Sequence, residues 1–286
     1  MKISELLSQK KRLLSFEVFP PKTTDAFDSV KSATEKIAEL SPSFMSVTYG
    51  AGGTTDKYTT AIATNIIKNY GVTSIAHLTC VGTAKSKIEE KLIELKENGI
   101  ENILALRGDI PEGGATCKDF TYANELVEFI KQNSDFCIGG ACYPDSHIES
   151  ENQQSDIFYL KKKVDSGCDF LTTQMFFDNN VLYNYLYKIR EAGITVPVIA
   201  GVMPVTNVKQ IKRICSLSGT YLPSRFKRIA DEFGDNPQAM QQAGIAYATE
   251  QIIDLYANGI KAVHVYSMNK PDVAKKIQES LSEILK

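Results

Sequence analysis

LLSFEVFPPK, residues 13–22, is a short apolar run that carries one carboxylate, Glu17, and stops at Pro20-Pro21. A proline pair ends a strand, because neither residue can donate to a ladder. The run therefore reads as a strand that comes first in the fold. An acid within such a strand is costly unless it has a partner or a task. A salt bridge to a neighbouring Lys or Arg is the plain alternative.

Seven further runs share this character: Phe44–Gly50, Thr73–Cys80, Asn102–Asp109, Cys137–Pro144, Phe170–Phe177, Val196–Met203 and Ala262–Met268. Between them lie segments with helical spacing. These are Phe27–Leu40, Tyr58–Asn69, Lys85–Asn98, Tyr122–Gln132, Asp156–Ser166, Val181–Ala192 and Asn207–Leu217. Gly71, Gly99, Gly167, Gly193 and Gly259 stand where helix C-terminal caps belong. Strand–helix alternation predicts a parallel sheet covered by helices. Eight units in 286 residues match a (β/α)8 TIM barrel. An open doubly wound sheet competes, but its GxGxxG turn is absent. The long gap before the last run predicts extra helices at Pro223–Phe233 and Pro237–Asn258. No linker, repeat or low-complexity tract interrupts the chain, which predicts a single barrel domain over residues 1–286.

Alternation along the strands predicts which residues face the lumen. Leu14, Phe16 and Val18 oppose Ser15 and Glu17. Leu104 and Leu106 oppose Ala105, Arg107 and Asp109. Val263 and Val265 oppose His264 and Tyr266. The apolar faces are predicted to meet the helices, and the mixed faces to point inward. Polar residues then gather at strand C-terminal ends: Glu17, Thr48, Arg107, Asp109, Tyr143, Gln174 and Asn269. That is the face where barrel enzymes hold their chemistry.

The formal charge of −2 gives no field to draw nucleic acid, and the basic residues are spread out. Lys161-Lys162-Lys163 reads as a solvated helix face or a phosphate contact. None of the six cysteines forms CxxC or a zinc-ligand pattern, so no metal is predicted. Their apolar settings suit a reducing cytoplasm. The N-terminus has no signal-peptide pattern, and no apolar run approaches the roughly 18 residues of a membrane span.

Several stretches could carry chemistry. Glu17 and Asp109 place carboxylates at the ends of strands one and four. A Glu in apolar surroundings can hold its proton near neutrality and act as a general acid. Asp109, beside Arg107, is expected to stay ionised; a local Arg107–Asp109 ion pair is the structural alternative. FMSVTYGAGGT, residues 44–54, enters a glycine-rich turn where a flat ring or a phosphate can approach the backbone. His77, in IAHLTC, reads as a ligand contact or a hydrogen-bonded core residue. CYPDSH places Tyr143 and His147 at the end of strand five. Gln174, among aromatics, must satisfy both a donor and an acceptor. With no nucleophile motif, no P-loop and no metal set, ring-binding groups plus an acid point to an organic cofactor.

SFEVFPPK, SVTYGA, AHLTC, ALRGD, CYPDSH, TTQMFFD, GVMPVTNVKQ and VYSMNK occur in this order. Together they resemble the 5,10-methylenetetrahydrofolate reductase family in its short bacterial form, from about residue 10 onward. The resemblance implies an FAD-containing barrel without the regulatory domain of long eukaryotic members. It implies reduction of 5,10-methylenetetrahydrofolate to 5-methyltetrahydrofolate with NADH or NADPH by a ping-pong mechanism, feeding methionine synthesis. It also implies a cytoplasmic enzyme, a homo-oligomer, with a small-molecule folate substrate and neither nucleic-acid nor membrane partners.

The same resemblance implies roles for individual residues. Glu17 matches the general acid that assists protonation at N10, opening the ring to an iminium at N5 that takes hydride. Asp109 matches the acid that contacts the pterin and tunes the flavin. Gln174, Gln210 and Lys270 match substrate contacts. Thr48, Tyr49, Ala51, His77, Arg107, Gly108, Asp109, Tyr122, Tyr143, His147, Asp156, Tyr159, Lys162 and Lys163 match cofactor positions. The chain departs from the family pattern at Tyr159 (Asn), Lys162 (Arg), Lys270 (Arg) and Ile214, where an aromatic flanks the nucleotide site. Two alternatives remain open. One keeps the folate chemistry with electrons from a ferredoxin or iron–sulfur partner. The other is a pterin-binding methyltransferase barrel without redox activity.

Overall fold

The computed structural model describes all residues except 10, 22, 50–55, 111, 112 and 116, and the backbone alone at 56 and 57. Eight parallel strands close into a barrel in sequence order. They are β1 (Leu13–Val18), β2 (Phe44–Val47), β3 (Ser74–Thr79), β4 (Asn102–Leu106), β5 (Cys137–Cys142), β6 (Phe170–Thr173), β7 (Val198–Val202) and β8 (Ala262–Tyr266). Closure is direct: Glu17 of β1 lies opposite Ser46 of β2 on one side and Tyr266 of β8 on the other.

Helices occupy the predicted intervals. They are α2 (Phe27–Ala38), α3 (Asp56–Tyr70), α4 (Lys85–Glu97), α5 (Ala123–Asn133), α6 (Gln153–Asp165), α7 (Asn179–Glu191) and α8 (Val208–Ser218). The two extra helices are α9 (Ser224–Phe233) and α10 (Pro237–Ala257). Several starts carry a side-chain cap. Asn152, Asp178, Asn207 and Asn236 each accept a backbone N–H of the first turn, which satisfies donors that the helix leaves free. The five predicted C-terminal glycines all have positive φ, from 65° to 125°, as a left-handed cap requires. Two helices went unpredicted: α1 (Ile3–Ser8), before the first strand, and α11 (Pro271–Ser280), after the last.

The outward faces of the strands build the main core against the helices. Leu14, Phe16, Val18, Val263 and Val265 all belong to it. Ser15, Glu17, His264 and Tyr266 therefore face the lumen, as alternation along β1 and β8 predicts. On β4 the prediction was inverted. Ile103 and Ala105 join the outer core, whereas Leu104 and Leu106 pack into the lumen. Lumen polarity was the wrong criterion there, because the lower part of a barrel is itself a packed apolar core.

That lower core holds Leu13, Phe44, Ile75, Leu104, Phe170 and Ile199, with Ile3, Leu6 and Leu7 of α1 against it. The first helix thus plugs the N-terminal end of the barrel. Ile3 N–H donates to Asn102 Oδ1 at 2.8 Å, and the Met1 ammonium pairs with Glu101. Six residues cannot hold a helix in water unaided, so tertiary burial maintains α1. Ile3 is fully buried. Ile3→Ala is expected to lower unfolding free energy by about 2–5 kcal/mol in chemical denaturation. Ile93→Ala, at an exposed position, should stay within about 0.5 kcal/mol. Equal effects would show that α1 is not a plug.

Candidate active site

A cavity of about 930 Å³ opens at the C-terminal ends of the strands. It descends from a rim at Asp109, Ile110 and His147 to a floor at Phe44, Ile75 and Leu104. The alternation that seals the barrel below therefore delivers polar side chains above.

Just over the floor lies a hydroxyl–imidazole layer. His264 Nδ1 is 2.7 Å from Ser15 Oγ, and Nε2 is 2.8 Å from Ser46 Oγ. Ser15 donates its only hydroxyl proton to the Val263 carbonyl at 3.1 Å. It must then accept from Nδ1–H, which leaves Nε2 to accept from Ser46. The ring stacks on Phe44 and meets Tyr266 edge-on, while the Tyr266 hydroxyl donates to the Thr173 carbonyl. Burial lowers the pKa of His264 to about 3. The imidazole is neutral at neutral pH.

Glu17 stands one layer higher. Its carboxylate lies 3.7 Å from His77 Nε2, with its side chain 20% exposed. Among the described residues no lysine or arginine pairs with it; Lys22, next along the same stretch, lies outside the described residues. Burial pushes the Glu17 pKa up to about 8. Burial likewise pushes His77 down to about 3, so the two groups face each other uncharged at neutral pH. The separation exceeds hydrogen-bonding distance. His77 Nε2 is buried without a partner, an orphan acceptor or donor beside a carboxylic acid.

At the rim Arg107 makes a fork with Glu149, at 2.5 and 2.7 Å. This replaces the local Arg107–Asp109 pair considered from sequence; Asp109 is exposed on the cavity wall. Gly108 has φ of 85°, and a Cβ there would sit 2.9 Å from Thr79 Cβ. Only glycine lets the chain after β4 turn flat against β3 at the cavity mouth. Tyr143 and His147 meet edge-to-face at 4.6 Å. Burial, the largest cause, raises the Tyr143 pKa to about 12. Thr48, Tyr49, Gln174 and Ile214 complete the wall. Gln174 Oε1 accepts from Met175 N–H at 2.9 Å.

The remaining candidates lie away from the cavity lining. Tyr122 is an exposed residue preceding α5. On α6, Lys162 lies over the exposed Phe158 and Tyr159 rings at 4.6 and 5.4 Å. Asp156 accepts from Ser150 Oγ at 3.2 Å, and burial raises its pKa. Lys163 turns inward and donates to the Ala141 carbonyl at 2.5 Å; burial lowers its pKa. Lys161 instead pairs with Asp165, so the lysine triplet is neither one face nor one contact. Gln210 is exposed in the first turn of α8. Lys270 Nζ donates to Thr206 Oγ1 at 2.6 Å. Ala51 and the glycine-rich turn lie outside the described residues. Sequence reasoning passed over Ser15, Ser46, His264 and Glu149 as site residues. The face shared with Glu17 on β1, and with Tyr266 on β8, was the available signal for Ser15 and His264.

Among the described residues no cluster of three or more His, Cys, Asp or Glu is placed to hold a metal. No helix there is long and apolar enough to cross a membrane. The family model for methylenetetrahydrofolate reductase matches residues 2–282. The chain is 35% identical to methylenetetrahydrofolate reductase (NADH) 1 of Arabidopsis thaliana over 94% of its length, though it spans 48% of that relative. It thus spans about half the length of the plant relatives it matches. It is 32% identical to 5,10-methylenetetrahydrofolate reductase of Escherichia coli (strain K12), covering 94% of this chain and 90% of that one. Among solved structures, an uncharacterized protein from Clostridium thermocellum that binds two copies of 5-methyl-5,6,7,8-tetrahydrofolic acid has the same fold. The TM-score is 0.66 at 12% identity, over 99% of this chain and 98% of that one. A closed eight-stranded barrel with its polar residues at one mouth, matched by the family model across nearly its whole length, belongs to the methylenetetrahydrofolate reductase family.

Proposed function

We propose that the protein is a flavin-dependent reductase that converts 5,10-methylenetetrahydrofolate to 5-methyltetrahydrofolate. It takes electrons from NADH or NADPH in a ping-pong cycle. It acts as a single catalytic domain within a cytoplasmic homo-oligomer, feeding methyl groups to methionine synthesis. The observation that carries this reading is Glu17: a carboxyl group on a cavity wall, raised to about 8 by burial, with an unpartnered imidazole 3.7 Å away.

The cavity fits FAD by size and chemistry. Its volume of about 930 Å³ lies near the top of the range for cofactor pockets. The orphan His77 Nε2, the Gly108 turn and the Thr48, Tyr49 and Tyr143 wall offer polar groups to a heteroaromatic edge. Arg107 and His147 extend that surface toward the rim. Bound FAD would supply hydride transfer, from the nucleotide and then to the folate methylene carbon. The protein's own residues do the rest. Glu17 gives its proton to N10 of the folate as the bond from N10 to the methylene carbon breaks, leaving an iminium at N5. Asp109 and Gln174 offer polar contacts to the pterin, and Lys270 a cation to the glutamate carboxylates. Apolar Leu106, Met175 and Met203 exclude water from the wall.

A second reading keeps the folate chemistry but draws electrons from a ferredoxin or iron–sulfur partner. Ile214 favours it, because it lines the cavity at the position where the family pattern has an aromatic beside the nucleotide. Anaerobic reduction of the yellow protein by NADH, by NADPH and by an artificial reductant separates the readings. Bleaching by either nucleotide supports the first; bleaching by the artificial reductant alone supports the second.

Glu17→Gln is expected to keep nucleotide-driven flavin reduction and to lose about 10²–10⁴-fold in the folate half-reaction. Equal loss in both half-reactions would remove its acid role. In the wild type only the protonated form of Glu17 can donate. The folate step should therefore hold level below pH 8 and decline above the raised pKa of about 8; a decline centred near pH 5 would contradict this.

The same shift acts on stability. Above the ordinary value of 4.5 the unfolded chain has released the Glu17 proton, while the folded chain keeps it until about 8. Stability from this group is full below 4.5 and is lost as pH rises through that window. The melting temperature of Glu17→Gln should gain on the wild type across the window and level off above it. A constant difference at all pH values would show that Glu17 titrates normally.

A further inference from the structure

β1 ends at Val18 because Pro20 and Pro21 carry no N–H. β8, its neighbour, ends at Tyr266, opposite Glu17. The peptide groups of Phe19 therefore lie just past the last strand partner. The side chain of Asn269 takes the missing place. Its Oδ1 accepts from Phe19 N–H at 3.0 Å, and its Nδ2 donates to the Phe19 carbonyl at 2.9 Å. A side-chain amide offers the same donor and acceptor as a peptide group, so Asn269 continues β8 by one rung. Ser267 Oγ adds a bond of 2.8 Å to the Glu17 carbonyl.

The loop that carries these residues is bent for this purpose. Met268 and Asn269 both have positive φ, at 55° and 52°, which is uncommon for residues other than glycine. Lys270 N–H closes the turn on the Ser267 carbonyl at 3.1 Å. Lys270 Nζ ties the far side to Thr206, in the connection after β7. The backbone on either side of Val18 is thus anchored to one loop, which is itself anchored to the next.

We propose that Asn269 is a positioning residue: by bracing Phe19 it holds the Glu17 carboxyl at its place in the cavity wall beside His77. This rests on the reading of Glu17 as the proton donor. Without the brace, the end of β1 frays from the proline side. Water then reaches the carboxyl, which moves from the folate and ionises at lower pH.

Two variants test it. Asn269→Gly keeps the left-handed backbone without steric cost and removes both bonds. Asn269→Asp keeps the acceptor for Phe19 N–H and loses the donor. Asn269→Gly should take up FAD and be reduced by nucleotide as the wild type is. Its folate turnover should fall about 100-fold, as a misplaced catalytic group requires, with folate KM changed less than about threefold. The alkaline limb of the folate step should move to lower pH, and hydrogen exchange at the Phe19 amide should accelerate. Asn269→Asp should lie between the two proteins and stands in for Asn269→Gly should that variant not fold. An unmoved limb overturns the proposal, whether folate turnover is unchanged or falls equally with flavin reduction. A Glu17→Gln variant, with Asn269 in place, that keeps full folate turnover would remove the underlying reading instead. Phe19 exchange would still report the brace in that case.

Discussion

A carboxyl group and an imidazole face each other across 3.7 Å near the top of this barrel, and neither carries charge at neutral pH. Among the described residues none offers Glu17 a countercharge. His77 is kept neutral by its own burial, and His264 below it is held between two serine hydroxyls. An arginine stands on the same cavity wall, but Glu149 occupies its fork. With no cation among the described residues placed to stabilise the carboxylate, desolvation decides, and the proton stays. The polar layer, the sealed floor and the Arg107–Glu149 pair all serve that outcome.

The fold supports the acid from below and from the side. The plug formed by α1 and the apolar lower lumen make the barrel a packed body rather than a water-filled tube. Water is thereby confined to the mouth, where a cofactor and a substrate would displace it. Beside the acid, the loop after β8 braces the end of β1. Position and protonation state are thus linked: β8 and its loop hold the carboxyl where the surrounding low dielectric keeps its proton.

Much of this was legible in the sequence, because strand periodicity and a proline stop are local signals. Glu17 could be placed on a lumen face from its alternation with Leu14, Phe16 and Val18. The helices and their glycine caps followed from spacing in the same way. Failures came where the deciding partner is distant. Leu104 and Leu106 looked like a helix-facing pair because the lower lumen had not been counted as core. Glu149 lies 42 residues from the arginine it binds, and no local pattern joins them. Helix α1 is too short to announce itself and exists because the barrel end needs covering. The lysine triplet 161–163 read as a solvated face or a phosphate contact, and no local pattern shows that the Lys163 ammonium turns inward to the Ala141 carbonyl.

The central claim is that burial keeps Glu17 protonated at neutral pH. The most direct measurement is the ¹³C shift of its side-chain carboxyl, followed through a pH titration of the ligand-free protein and assigned by comparison with Glu17→Gln. A midpoint near 8 is predicted. A midpoint near the ordinary value of 4.5 would mean that the carboxylate is already charged at neutrality, and that this wall of the barrel holds no acid.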